Sequence, residues 1–465
     1  MELPIAFVAR MKRLLGSEYD AFEAALSRES AVKGLRVNAH KVSVDAFVQN
    51  APFALDPIPY VTGGFIVSED AQAGKHPYHQ AGAYYMQDPG AMSAVAAIPH
   101  DVWQKEGVRV LDLCAAPGGK TTQMAALCEE RGGVVVANEY VSARSRILAG
   151  NVERMGLPNV CVTNTDAAHI AALFPETFDL VAVDAPCSGE GMYRKNDLAI
   201  TEWSEANVAM CADRQREILT EAVKCVAAGG YLLYSTCTYS TEENEETVAW
   251  FLRTYADFSL VPCRADVVAH TADGLTDFDA RGEDLSLCRR FYPHVCAGEG
   301  QFVALLRRAG DERAATGRAN LAPIPKALQK TADDFLKETL GHTLSPLLCD
   351  RDTVFAFPAL ARAPLSLPPH AVAMGVPLGE ERKGRIVPHH HFFMAYGKEC
   401  LSRVILSPLD ARVRKYLGGE EIDVPADCKG YTAVLLSLGD GLLTLGGGKA
   451  VGGRLKNYYP KGLRI

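Results

Sequence analysis

The chain has 465 residues, 48% hydrophobic and 22% charged, the composition of a globular protein large enough for several domains. Its formal charge of -8 does not by itself point to a polyanionic partner, and no run reaches eighteen apolar residues, so no membrane span is expected. Thirteen scattered cysteines without a C-x-x-C pair argue against a disulfide scaffold and against a structural zinc.

The opening MELPIAFVARMKRLLG lacks the order of a signal peptide, and a cytoplasmic protein is expected. Leu3–Leu26 carries apolar residues at helical spacing (Phe7, Met11, Leu14, Leu15, Tyr19, Phe22, Leu26) and is predicted to pack on another element. Gly34–Asn38 reads as a strand with Arg36 and Asn38 on one face, and Phe65–Val67 as a second strand after the turn Gly63-Gly64. Helix is predicted within Ala83–Ala97, around Pro89, following an aromatic-rich stretch. Residues 1–95 are expected to form an N-terminal subdomain leaning on a central sheet.

That sheet is predicted from Val108–Thr122, VRVLDLCAAPGGKTT, a short buried strand feeding a Pro-Gly-Gly turn and a helix start. The spacing is neither G-x-G-x-x-G nor a P-loop, so a dinucleotide or a nucleoside triphosphate is not the first choice of ligand. Four more strands follow, each ending in polar residues: Val134–Ala137 before Asn138 and Glu139, and Val160–Val162 before Asn164-Thr165-Asp166. Phe178–Val183 precedes Asp184-Ala185-Pro186-Cys187, and Tyr231–Tyr234 precedes Ser235-Thr236-Cys237. Helices are expected between them at Ala143–Met155, Ala167–Leu173 and Asn207–Ala227. In an open α/β sheet all these polar ends converge on one crevice, and an acidic side chain at Glu139 suits a ribose.

Ser240 and Glu243 have capping-box spacing, predicting a helix through Tyr255. A further strand is expected at Phe302–Leu306, and the main boundary in the weakly patterned stretch 309–325. Residues 326–400 are expected to hold a helix at Asp333–Thr339 and strands near Val354–Phe357 and Arg385–Val387. The run His389-His390-His391 lacks metal-ligand spacing and is expected on a loop; no metal is predicted. A final all-β unit is expected over 401–465, where ten Lys/Arg face six Asp/Glu and no acid follows Gly441.

Cys187 and Cys237 turn the question from binding to chemistry. A single free cysteine is ordinarily buried filler, but two at adjacent strand ends over one crevice suit nucleophilic work by a thiolate. The segments LDLCAAPGGKTTQMA, VVVANE, FDLVAVDAPCSGEGMYRK and LLYSTCTYSTEENEETV resemble the motifs of the Nop/Sun family of RNA cytosine-5 methyltransferases. GLRVN and RFYPH…GEGQFVALL are similar to that family too, and KAVGGRLKNYYPKGLR resembles the PUA-like RNA-binding tail of its RsmF branch, which modifies 16S ribosomal RNA.

The resemblance implies an α/β fold: a Rossmann-like class I methyltransferase core over 96–308, an N-terminal RNA-binding or substrate subdomain over 1–95, and a C-terminal PUA-like β domain over 401–465. It implies S-adenosylmethionine as cofactor and RNA as partner, and a monomer is expected. The implied cofactor site is Cys114, Ala115, Ala116, Pro117, Gly118, Gly119 and Lys120, with Glu139 on the ribose, Asp166 near the adenine and Asp184 beside methionine or the target base. Cys237 matches the nucleophile and Cys187 the cysteine that assists release. Lys120 reads equally as a cofactor or phosphate contact and as a solvated helix lysine; Tyr193, Arg194 and Lys195 are placed to touch the target strand or are surface filler. Three alternatives stay open: a transfer RNA substrate, a small-molecule or protein methyltransferase on the same fold, and a non-catalytic RNA-binding assembly factor.

Overall fold

The computed structural model describes residues 3–27, 32–311, 324–368 and 371–465. Among them a ten-stranded sheet runs through the centre. Five of its strands are parallel, in the spatial order Val226–Thr236, Phe178–Asp184, Arg109–Asp112, Val134–Asn138, Val160–Thr163. Their side chains are buried on both faces, which is why runs such as VVVA are uninterrupted rather than alternating. Strand order reverses between Arg109–Asp112 and Phe178–Asp184, which opens the crevice at their carboxyl ends. Gln301–Arg308 adds antiparallel to Val226–Thr236, and Ala373–Met374 closes the other edge against Val160–Thr163.

The expected helices between these strands are found at Ser142–Met155, Ala167–Leu173 and Glu205–Cys225. The helix after Cys237 differs from expectation. It begins at Glu245, with Asn244 at its cap, and neither Ser240 nor Glu243 caps it. Both side chains are buried and engaged elsewhere.

Before the core, Lys33–Val37, Asp56–Pro57, Gly64–Val67 and Tyr84–Met86 make a four-stranded antiparallel sheet. The aromatic stretch before Pro89 therefore contributes a strand, and the helix Pro89–Ala96 starts on an Asp88 cap that accepts from Gly90 N–H at 2.8 Å. The amphipathic start forms two helices, Ile5–Leu15 and Tyr19–Leu26. After the core, Lys326–Leu340 precedes a four-stranded sheet of Leu347–Asp350, Thr353–Ala356, Val376–Glu381 and Ile386–Pro388. Of the stretch 309–325, residues 312–323 lie outside the described residues.

Two expectations fail beyond this point. His390 and His391 are buried in the helix His390–Tyr396, capped by His389, because Phe392, Phe393 and Tyr396 give that segment an apolar face; it is not a loop. Residues 401–465 are not all β: a five-stranded sheet is joined by the helix Ala411–Leu417. Their core is continuous with that of the N-terminal sheet, Leu35, Val37, Phe65 and Tyr84 belonging to the same apolar cluster as Val404, Tyr416, Leu436 and Leu455.

Candidate active site

The glycine turn is shaped by its backbone. Gly118 has φ +109°, and a Cβ there would lie 2.9 Å from Leu148. Side chains from two elements fix the turn's carbonyls: from the helix Ser142–Met155, Arg144 donates to Ala116 at 2.8 Å and Asn151 to Pro117 at 2.8 Å, and from the strand Lys33–Val37, Arg36 donates to Gly119 at 3.2 Å. Cys114 is half-buried, and Ala115 N–H donates to the Asn138 carbonyl at 2.9 Å, tying the turn to the neighbouring strand end. Burial raises the Cys114 thiol pKa, and Asp112 is raised to about 7 by burial while accepting from Thr121 Oγ1 at 2.6 Å.

Glu139 is buried at its strand end, where Oε1 accepts Val141 N–H at 2.9 Å and Oε2 faces Arg144 at 3.6 Å. Asn164 bridges it to the next strand end by donating to the Glu139 and Tyr140 carbonyls. Asp166 is exposed there and caps Ala167–Leu173, Oδ1 accepting His169 N–H at 2.7 Å. A buried carboxylate, a glycine turn and an open strand-end crevice suit S-adenosylmethionine: Glu139 for the ribose, the turn Cys114–Gly119 for the methionine end, Asp166 at the adenine side.

Asp184 closes the fourth parallel strand. Lys120 Nζ lies 2.8 Å from its Oδ2, while Ser235 donates to Oδ1 at 2.7 Å and Gln301 at 3.3 Å. Lys120 is 9% exposed and turned into the crevice, not a solvated helix lysine. The two cysteines meet: Cys187 Sγ and Cys237 Sγ are 3.1 Å apart and both are partly exposed. The hydrogen bond to Cys237 and burial hold the Cys187 thiol well above its ordinary pKa, so Cys187 keeps its proton.

The segment past Cys187 does less for a substrate than expected. Tyr193 is buried against Phe7 with ring centroids 5.0 Å apart, and Arg194 forms an almost fully buried ion pair with Glu299. Lys195 pairs with Asp88 at 2.7 Å. Arg36 is likewise buried, donating to Thr122 Oγ1 at 2.9 Å. Sequence reasoning placed Ser235 among the polar strand ends without a role, read Glu243 as a helix cap, and missed Gln301, Glu190 and Gln215. Gln301 stands within GEGQF, so its motif was visible while its contact with Asp184 was not.

Comparison with known proteins identifies the family. Residues 102–307 match the family described as "16S rRNA methyltransferase RsmB/F", 3–89 the "N-terminal domain of 16S rRNA methyltransferase RsmF", and 403–465 the "Methyltransferase RsmF PUA domain". Ribosomal RNA small subunit methyltransferase F of Vibrio cholerae is 33% identical, the match covering 100% of this chain and 98% of that protein. The protein of the same name from Serratia proteamaculans is 38% identical over 66% of this chain and 63% of its own length. A solved methyltransferase homologue from Pyrococcus horikoshii is 28% identical, with a TM-score of 0.55 over 65% of this chain and 94% of that one. With a class I methyltransferase core between the matched N-terminal and PUA domains, the chain belongs to the RsmF family of 16S rRNA methyltransferases.

Proposed function

We propose that this chain is an S-adenosylmethionine-dependent RNA (cytosine-5)-methyltransferase that modifies 16S ribosomal RNA through a covalent adduct on Cys237. The observation that carries the reading is the thiol pair, Cys187 and Cys237 at 3.1 Å, beside Asp184 at the carboxyl ends of adjacent strands. Cytosine C5 is too poor a nucleophile to be methylated directly. Addition of the Cys237 thiolate, its proton given up to solvent, to C6 breaks the C5–C6 double bond and moves an electron pair to C5. Asp184, beside Lys120 and Ser235, holds N3 through a proton bridging the two, which stabilises the negative charge that develops as the sulfur adds. S-adenosylmethionine, when bound, supplies the methyl group that C5 accepts. A base then removes the C5 proton, the C5–C6 double bond re-forms and the Cys237 sulfur leaves. Cys187, which keeps its own proton in the resting pair, assists that elimination directly or through water. The target base is read single, either already unstacked or flipped out.

A denaturing gel with target RNA tests the assignment. Cys237→Ala is expected to form no adduct, and Cys187→Ala to accumulate one. Adduct accumulation in Cys237→Ala instead would reverse the two roles. Bisulfite sequencing of 16S ribosomal RNA and transfer RNA from cells with and without the gene settles the substrate, and a lost mark in transfer RNA alone would overturn the ribosomal reading.

A further inference from the structure

Behind the thiol pair lie two buried carboxylates that the reaction above does not use, Glu190 at 1% exposure and Glu243 at 0%. Each belongs to one cysteine loop and binds the other. Glu243, six residues past Cys237, accepts Ser188 N–H at 2.9 Å at Oε2 and the Ser188 hydroxyl at Oε1. Glu190, three residues past Cys187, accepts Tyr239 N–H at 2.9 Å and the Ser240 hydroxyl at 2.8 Å. The loops are further joined by Ser188 Oγ to Thr238 Oγ1 at 2.9 Å and by Gly191 N–H to the Cys237 carbonyl at 2.9 Å. A Cβ at Gly191 would lie 2.9 Å from that carbonyl, so the approach requires glycine.

The residues flanking Cys187 are therefore both held. Gln215 donates to the Pro186 carbonyl at 3.0 Å and to Glu243 Oε2 at 2.8 Å, while Tyr234 fixes Gln215 by donating to its Oε1 at 3.0 Å. Glu243 thus takes three donors, two of them from the residue next to Cys187. Glu190 takes its three from Tyr239, Ser240 and the Trp203 indole. Burying two carboxylates this close is costly, and each is stabilised only by its full set of donors.

We infer that Glu243 and Glu190 form a reciprocal clamp that sets the spacing of the two thiols, with Glu243 the positioning residue for Cys187 in release of the methylated base. The inference rests on the proposed adduct chemistry. Glu243 touches neither substrate nor cofactor; it acts through Ser188 on where the Cys187 sulfur sits. Replacing it with glutamine leaves one oxygen for the Ser188 and Gln215 N–H donors and sets an NH2 group against the Ser188 hydroxyl, which must turn to accept and give up its present bond. Cys187 then drifts while Cys237, whose loop is held by Glu190, stays in place. A displacement of this kind slows the dependent step by roughly tenfold to a hundredfold.

The test is single-turnover kinetics on the full chain with target RNA and S-adenosylmethionine, resolving adduct formation from adduct decay. Glu243→Gln is expected to form adduct at close to the wild-type rate and resolve it slowly, with affinity for S-adenosylhomocysteine unchanged. Ser188→Ala, which removes the hydroxyl while keeping the buried carboxylate, is expected to slow decay in the same direction by less. Cys187→Ala is the control: if it fails to trap adduct, the release role of Cys187 on which the inference rests falls. If it traps adduct and Glu243→Gln does not, the clamp is wrong. Equal slowing of formation and decay in both variants would mark Glu243 as merely structural and overturn the inference. Should Glu243→Gln lose its cooperative melt, Ser188→Ala alone decides by the same split.

Discussion

The Cys187 and Cys237 sulfurs are hydrogen-bonded to each other at 3.1 Å. The bond to Cys237 is the largest cause of the raised Cys187 pKa, so removing that sulfur lets Cys187 ionise at lower pH. The pH profile of Cys187 alkylation by iodoacetamide, followed by peptide mass spectrometry, is expected to shift to lower pH in Cys237→Ala; an unmoved profile would show that burial alone sets it. These cysteines were legible in the sequence because each closes a strand over the same crevice, and Glu139 and Asp184 were legible for the same reason. Glu243 was not. Its Ser-x-x-Glu spacing suggests a helix cap, and only the fold shows that the helix starts later and that the carboxylate turns inward to Ser188. Tyr193 and Arg194 misled in the opposite sense, since nothing in the triplet after the Cys187 loop marks the Tyr193 ring or the Arg194 side chain as buried.

Among the elements, the N-terminal helix pair has the clearest bearing on the site. Phe7, Met11, Tyr19, Phe22 and Leu26 form one apolar cluster with Tyr193, Trp203, Tyr239 and Tyr292, residues of the loops that follow the cysteines and of the adjoining strand edge. Phe22 packs edge-on to Tyr239 at 5.1 Å and Phe7 to Trp203 at 5.8 Å, and Arg10 pairs with Glu242. The helical period identified these residues as a packing face, but not its partner, because the partner is an irregular loop with no period of its own. Phe22→Ala removes a fully buried ring beside Tyr239, whose N–H is held by Glu190. A loss of about 3–5 kcal/mol is expected if the chain unfolds as one unit, read from denaturant melts. A melt within about 1 kcal/mol of wild type would show that the pair is dispensable to the fold.

At the scale of the whole molecule, the two ends of the chain share a core, and this changes how RNA binding at the C-terminal unit must be tested. Removing residues 401–465 would break up the apolar cluster to which Leu35, Val37 and Tyr84 belong, so a truncation confuses lost RNA contact with a damaged N-terminal sheet. The glycines of that unit serve packing. Gly446–Gly448 do not open the backbone to phosphate; they admit Tyr416, Phe393 and Leu455 against the strand. Nor is every basic residue unopposed, since Arg454 faces Asp423 at 3.3 Å and Glu421 at 3.6 Å. Lys449 and Lys456 remain a different case. They sit directly opposite on paired strands, Lys456 exposed and Lys449 half-buried over the Tyr431 ring. Like charges in that register repel, and a polyanion laid across them relieves the repulsion. We propose that this pair meets RNA backbone while the cysteine crevice takes the single cytosine. Changing both lysines to glutamine keeps length and removes two charges without touching the shared core. In filter binding across a salt series, affinity for structured RNA is expected to fall and the log–log salt slope to become shallower by roughly 1.5. Affinity for S-adenosylhomocysteine is expected to stay unchanged. An unaltered slope would place the phosphate contacts on another surface.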